Sequence, residues 1–318
     1  MELFRRDYVC QSTAELCLSD LDYFIERDQP VPVLESELDQ SQEAAQLPVT
    51  VLKASRGWIA LDLKGLWDYR ELLYFLIWRD VKVKYKQTII GAGWAILQPL
   101  VTMVVFTLVF KKIGNVPSDN IPYPIFAYTA LLPWTLFSAG LNHSTTSLVA
   151  QSHLISKVYF PRMIIPLSAT LAGIVDFAMA FFILLCMMFW YGIVPTAAIV
   201  SLPLFITIDL IAALGVGLWL AALNVRYRDV GQAIPFLVQI WMFASPVAYP
   251  VSALPEKWRV FFSLNPLVGV IEGFRWAILG NGTPDFVVMT VSAIVMTGLL
   301  FTGIVYFTRT ERTFADLI

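Results

Sequence analysis

The sequence predicts an all-α polytopic membrane protein, and three observations carry that fold class. Of 318 residues, 58% are hydrophobic and 14% charged, with a mean hydropathy of +0.68, whereas a soluble domain carries about a quarter charged residues. Uncharged runs of membrane-crossing length recur from residue 93 onward. Lys and Arg gather in several of the short connections between them, as in loops retained on one side of a bilayer.

The runs are Gly93 to Phe110, Asn120 to Ser152, Met163 to about Gly192 across Asp176, Ile199 to Asn224 across Asp209, Gly231 to Pro255, and Phe286 to Thr308. A helix needs about 20 residues to cross roughly 30 Å of hydrocarbon, so six spans are expected, the first borrowing a few flanking residues. An even number puts both termini on one side. With the N-terminus inside, the inner flanks hold Arg79, Lys82, Lys84, Lys86, Lys157, Arg162, Arg226, Arg228, Arg309 and Arg312. The outer flanks then hold Lys111, Lys112, Lys257, Arg259 and Arg275, and this imbalance favours both termini in the cytosol. Lys111 and Lys112 dissent and are read as snorkelling at the outer interface.

Residues 1–56 hold 5 Lys and Arg against 11 Asp and Glu, so an acidic head precedes a basic, apolar body. This reads as a cytosolic extension, with a short helix near Thr13 to Arg27, a disordered acidic linker over 28–49, and one or two short strands between Val49 and Leu63. A nucleic-acid partner would need a basic face and is excluded. The first twenty residues lack the apolar core of a signal peptide, so insertion is expected to use the internal helices.

Cys10, Cys17 and Cys186 are too few and scattered for a disulfide framework or a four-ligand zinc site and read as reduced thiols. His143 and His153 are the two histidines, which makes a His-rich metal site improbable. No GxxxxGK[ST] phosphate loop occurs, so no cofactor and no ATP hydrolysis are expected of this chain alone.

Residues 57–91 form a cytosolic segment ahead of the 92–318 transmembrane region. Within it, Leu73, Ile77, Val81 and Tyr85 recur at intervals of four, flanked by Tyr74 and Trp78. Arg79, Lys82, Lys84 and Lys86 make the basic face, with Asp80 and Lys84 placed as an i,i+4 pair. The pattern predicts an amphipathic helix lying among lipid headgroups, or else a solvated helix packed on its own domain.

Between spans five and six, EKWRVFFSLNPLVGVIEGFRWAILGNGTP has an apolar run too short to cross, broken at Asn265-Pro266. It should enter and leave on one side as a re-entrant hairpin, a candidate gate, or lie as an amphipathic hairpin on the outer surface. Trp258, Phe261, Phe262, Asn265, Pro266, Glu272 and Arg275 are its candidate gate residues, and Glu272 and Arg275 stand three apart, able to pair on one helical face. Gly280-Asn281-Gly282 marks a turn.

The stretch LWDYRELLYFLIWRDVKVKYKQTIIGAGWAILQPL (Leu66 to Leu100) closely resembles the corresponding segment of permease subunits of ABC-type polysaccharide exporters, the O-antigen, capsular and teichoic acid group. The likeness continues through Ile121 to Leu141, SHLISKVYFPR (Ser152 to Arg162), LNVRYRDV (Leu223 to Val230) and LNPLVGVIEGFRWAILG (Leu264 to Gly280), covering roughly residues 55–318. It implies a homodimer of six-span subunits in the bacterial inner membrane, joined by two copies of a separate ATPase that binds ATP and Mg, exporting a lipid-linked polysaccharide. By the same resemblance, the helix holding Arg70, Trp78, Arg79, Asp80, Lys82, Lys84 and Lys86 is the interface helix touching the ATPase. The loop with Ser152, His153, Leu154, Ile155, Lys157, Tyr159 and Arg162 carries the coupling helix, and 256–280 is the outer gate.

Physical reading supports the loop assignment, because His153, Lys157 and Arg162 suit the surface while Leu154, Ile155, Val158, Tyr159 and Phe160 are available to bury. The alternative is an ordinary basic inner loop. Arg226, Arg228 and Asp229 are either positive-inside anchors or a second ATPase contact. Asp176 and Asp209 fall within spans three and four, where an acid costs about 2.5 to 3.5 kcal/mol to insert; hydrogen-bonded packing is favoured over polar contacts in a dimer or a proton site, since no intramembrane partner is evident. Trp94, Phe106, Phe236, Trp241 and Phe243 could line a glycan path, while most aromatics are interface belts or core. Competing readings are an ion-coupled secondary transporter or flippase using Asp176 and Asp209, and a membrane scaffold for glycan assembly.

Overall fold

Backbone amides in hydrocarbon must find partners within their own segment, and each apolar run accordingly coils on itself. The computed structural model describes residues 63–86, 92–118, 121–253, 255–280 and 285–314, and every regular element among them is helical. The expectations for the acidic head, its linker, the strands before Leu63, Cys10, Cys17 and the turn at Asn281 lie outside the described residues.

The chain opens with α1 (Leu63–Asp68) and α2 (Arg70–Lys86), joined without a gap by the bond from the Leu73 amide to the Tyr69 carbonyl at 3.0 Å. Span one is α3 (Ala92–Phe106), prolonged by a π-helical stretch, Thr107–Ile113, that carries Lys111 and Lys112. Span two is α4 (Tyr123–Ala150), followed by the short α5 (Ser152–Lys157). Span three is built from α6 (Ile164–Leu171) and α7 (Gly173–Trp190), and span four from a 3-10 turn, Ala197–Ser201, running into α8 (Leu202–Arg226). Then come α9 (Val230–Ala244), α10 (Glu256–Phe262), α11 (Pro266–Leu279) and α12 (Phe286–Thr310).

Five of the expected runs become helices long and apolar enough to cross a membrane. The sixth, expected over Gly231 to Pro255, becomes α9, whose 15 residues cover about 22 Å at 1.5 Å per residue. It stops because Pro246 lacks an amide and pushes Ser245 out of the helical region, to φ −103° and ψ 150°. Helix α11 closes with Gly280 in the left-handed conformation, φ 67°, a position costly for any side chain.

Helix α4 is the centre of the molecule. Most of its residues are buried, and the other spans pack around it, leaving apolar outer faces. Helix α8 lies against both α4 and α12, and the α8–α12 crossing is close because two glycines meet. A Cβ on Gly303 would stand 2.3 Å from the Gly215 carbonyl oxygen, and one on Gly215 would stand 2.9 Å from the Leu300 backbone.

A distinct apolar cluster closes one end. Leu76 of α2, Leu148 of α4, Ile155 and Phe160 of the loop after it, Ile164 and Ile165 of α6, Val225 of α8, and Phe307 and Phe314 at the end of α12 pack together. The first described helices, the 151–162 loop, the 226–229 connection and the last described residues therefore share one end, called here the basal end. The opposite end holds the Val251, Val268 and Val288 cluster.

The inward face of α2 centres on Leu76, which is buried, with Leu66, Tyr69, Leu72 and Leu73 packed beside it. The expected stripe of Leu73, Ile77, Val81 and Tyr85 is half-buried along one side of Leu76, whereas the flanking Tyr74 and Trp78 are exposed. The expected Asp80–Lys84 pair is also absent: Asp80 bonds the adjacent Arg79 at 2.8 Å, and Lys84 turns to Asp176.

The glycine contact predicts the outcome of Gly303→Val. Overpacking of this kind costs about 1 to 3 kcal/mol, so the detergent-solubilised variant should unfold at a lower temperature than the wild type, whereas Gly298→Ala, with open space around it in a helix interior, should not lower the midpoint.

Candidate functional site

At the basal end, the 151–162 loop is held from one side and open on the other. Ile155 and Phe160 sink into the apolar cluster, with Leu154 half-buried beside them. Arg162 binds the last described turn, its backbone amide donating to a Glu311 carboxylate oxygen at 3.3 Å and its guanidinium donating to the Glu311 carbonyl. Val158 and Tyr159 are 53% and 72% exposed, with His153, Ser156 and Lys157 also on the surface. Ser152 is half-buried at the start of α5. Of the five apolar residues expected to bury, Val158 and Tyr159 thus do not. The loop is a fixed ledge with an aromatic, apolar and basic edge facing outward.

Above the ledge, α2 presents Arg70, Trp78, Lys82 and Lys86 outward, and Arg79 pairs with Asp80. Its last turn does something sequence reasoning missed. Lys84 Nζ pairs with one oxygen of Asp176, on the first turn of α7, and the Tyr85 hydroxyl donates to the other. Burial, together with that carboxylate, pushes the Tyr85 phenol well above its ordinary pKa, so it remains a proton donor. The sequence offers Asp176 no partner within the spans, and the one it takes lies 92 positions away, on a helix outside them. Asp209 differs, being fully buried with neither carboxylate oxygen hydrogen-bonded among the described residues, so the hydrogen-bonded packing expected of it is not formed.

At the opposite end, the chain beyond α9 leaves the helix while still packed inside the protein, and its carbonyls need donors. Side chains supply them. Asn265 Nδ2 reaches the Ala244 carbonyl at 3.5 Å and Ser245 Oγ at 2.9 Å, and Tyr123 donates to the Ala248 carbonyl at 2.7 Å. Arg275 donates to Val247 at 3.0 Å and Tyr249 at 3.4 Å. Its guanidinium is clamped further by Glu272, at 3.1 Å, and by the Phe126 ring, whose centroid is 3.7 Å from Cζ. The Glu272–Arg275 pair expected from spacing is present, and Arg275 is 7% exposed.

The candidate gate residues divide accordingly. Trp258 and Phe261 are exposed, Phe262 is half-buried, and Pro266 is buried at the first turn of α11. Asn265 is the junction: its Oδ1 accepts from the Leu267 amide, capping α11, and from Trp241 Nε1 at 3.1 Å. Among the candidate pathway aromatics, Trp94, Phe236 and Phe243 are exposed, Phe106 is buried, and Trp241 is half-buried against Phe137. Phe106 and Phe243 bring α3 and α9 together with rings 6.4 Å apart.

Spans packed around one central helix, with a ledge at one end and a side-chain-braced turn at the other, define a polytopic helical membrane protein. The ABC-2 type transporter family matches residues 71–279, and the chain belongs to that family. Named relatives agree. The O-antigen export system permease protein RfbA of Myxococcus xanthus is 30% identical over 259 residues, covering 80% of this chain and 98% of the relative. A protein of the same name from Klebsiella pneumoniae is 28% identical, covering 78% and 95%. The polysialic acid transport protein KpsM of Escherichia coli is 24% identical, covering 74% and 92%.

Arg275→Met should leave two turn carbonyls and Glu272 without their charged donor. Bonds to charged groups contribute about 1.5 to 3 kcal/mol, so amide exchange over 245–253 should accelerate while the basal cluster keeps its protection; equal protection in both variants would remove the bracing role.

Proposed function

We propose that this chain is the permease subunit of an ATP-driven exporter that carries a lipid-linked polysaccharide of the O-antigen or capsular type across the bacterial inner membrane. The observation that carries the reading is the basal ledge in a chain whose relatives are export permeases along most of its length. A rigid loop with an exposed Tyr159, Val158 and Lys157 edge suits a groove on a partner, and Ile155 and Phe160 give that partner mechanical purchase on the cluster that joins α2, α6, α8 and α12.

ATP and Mg belong to a separate ATPase in this reading, present in two copies against a homodimer of the permease. Exposed apolar surface on α3 (Trp94, Leu97, Val101, Val104) and on α9 (Phe236, Leu237, Ile240, Phe243) supports a second copy and a path between copies. Closure of the ATPases pushes the ledges and α2, the spans shift between two packed arrangements, and α10 and α11 open or close the outer mouth. Both termini lie in the cytosol: the basal end gathers the ledge, the 226–229 connection and the end of α12, as expected of the Lys- and Arg-rich side. The acidic 1–56 head is a cytosolic extension of the 57–318 permease, and α1 and α2 rest their exposed Trp67, Tyr74 and Trp78 among the lipid headgroups.

A mild-detergent pull-down from the native membrane tests the partner. A near-stoichiometric ATPase is the expected companion, and its repeated absence from intact dimers would overturn the reading. Within the complex, Lys157→Glu with Tyr159→Asp, both on exposed side chains, should preserve insertion and lower the recovered ATPase by tenfold or more, corresponding to about 1.4 kcal/mol of binding.

A further inference from the structure

We infer that the carboxylate of Asp176, gripped by Lys84 and Tyr85, is a positioning site that fixes the angle of α2 against span three and so couples movement of the basal ledge to span one. The inference rests on the transport reading above. Helix α2 is attached at two places. Leu76 sits in the basal cluster beside Ile164 and Ile165 of α6, and eight residues later Lys84 and Tyr85 hold both oxygens of Asp176 on α7. Eight helical residues separate the two attachments by about 12 Å. A helix held at one point pivots, whereas a helix held at two points 12 Å apart turns with what it is held to.

Connectivity gives that attachment its consequence. The ledge runs through Pro161 into α6, which leads through Ala172 into α7 and Asp176. On the other side, α2 ends at Lys86 and α3 begins at Ala92, so five residues, spanning at most about 18 Å, join the gripped turn to span one. Asp176 is therefore a short mechanical link between the docking loop and the start of span one, running alongside the apolar cluster.

The grip should affect coupling more than stability. The Lys84 side chain is 46% exposed and that of Asp176 20% exposed, and an ion pair so open to water contributes little to folding. Two donors on two carboxylate oxygens nevertheless define an orientation, which one donor does not.

The test uses the full chain co-assembled with its ATPase in lipid vesicles, reading ATP hydrolysis and polymer delivered per ATP. Asp176→Asn and Lys84→Met should hydrolyse ATP within about twofold of wild type yet deliver about tenfold less polymer per ATP, inside the range of known coupling energies. Lys84→Arg, which keeps a charged donor beside Tyr85 on the same carboxylate, should retain most of the yield. Wild-type yield per ATP in Lys84→Met, whose altered side chain lies on the surface and leaves the fold intact, overturns the inference. So does a Lys84→Arg variant as poor as Lys84→Met. If the wild-type assembly moves no polymer, the transport reading fails by itself. The link is then judged on the purified chain: amide exchange over residues 80–86 must rise about tenfold in Asp176→Asn and stay near the wild-type rate in Lys84→Arg, and an unchanged rate in Asp176→Asn overturns it.

Discussion

Satisfying backbone polar groups where water is absent is the constraint on which this structure depends. Each apolar run meets it by coiling, which supplies an internal partner for nearly every amide. The turn after α9 cannot, because Pro246 ends the helix inside the packed protein, and its requirement shapes the surrounding architecture. Asn265, Tyr123 and Arg275 all point at that turn, so α4, α9 and α11 are tied together by four main-chain carbonyls, those of Ala244, Val247, Ala248 and Tyr249, and by the Ser245 hydroxyl. Helix α11 and the central span α4 thereby become one mechanical unit.

The two ends of the molecule are built on different physics. The end opposite the basal cluster is polar and directional: a buried guanidinium with an acid, two carbonyls and an aromatic face tolerates few other geometries. The basal end is apolar and less directional, a cluster in which residues from α2, α4, α6, α8 and α12 meet. A cluster of that kind gathers several elements without setting their angles, and the Asp176 contact supplies direction where the cluster does not. Between the ends, the Gly215–Gly303 approach brings two backbones close enough to act as one layer.

Asp176 and Asp209 show how one residue type in similar sequence settings reaches opposite environments. Both interrupt apolar runs. Asp176 falls on the first turn of α7, within reach of a basic helix that packs along α6, and both its oxygens are engaged. Asp209 sits mid-helix in α8, wholly buried, where neither oxygen finds a hydrogen bond among the described residues. No local property of the sequence separates them, since the separating factor is which distant helix passes by.

Composition and periodicity by themselves determined that the chain is helical, that it lies in a membrane, where the runs begin, and that 256–280 is too short to cross. They also determined the Glu272–Arg275 pair, because three residues along a helix bring two side chains to one face whatever surrounds them. Hydrocarbon imposes these features locally, so local pattern is enough. Only the tertiary structure decided that α9 stops at 15 residues, that Tyr159 faces outward while Ile155 is buried, that α2 packs on Leu76, and that Lys84 chooses Asp176 over Asp80. Each of these outcomes is a competition between a near partner and a distant one, and the energies involved are set by packing between segments whose separation in sequence conceals their contact.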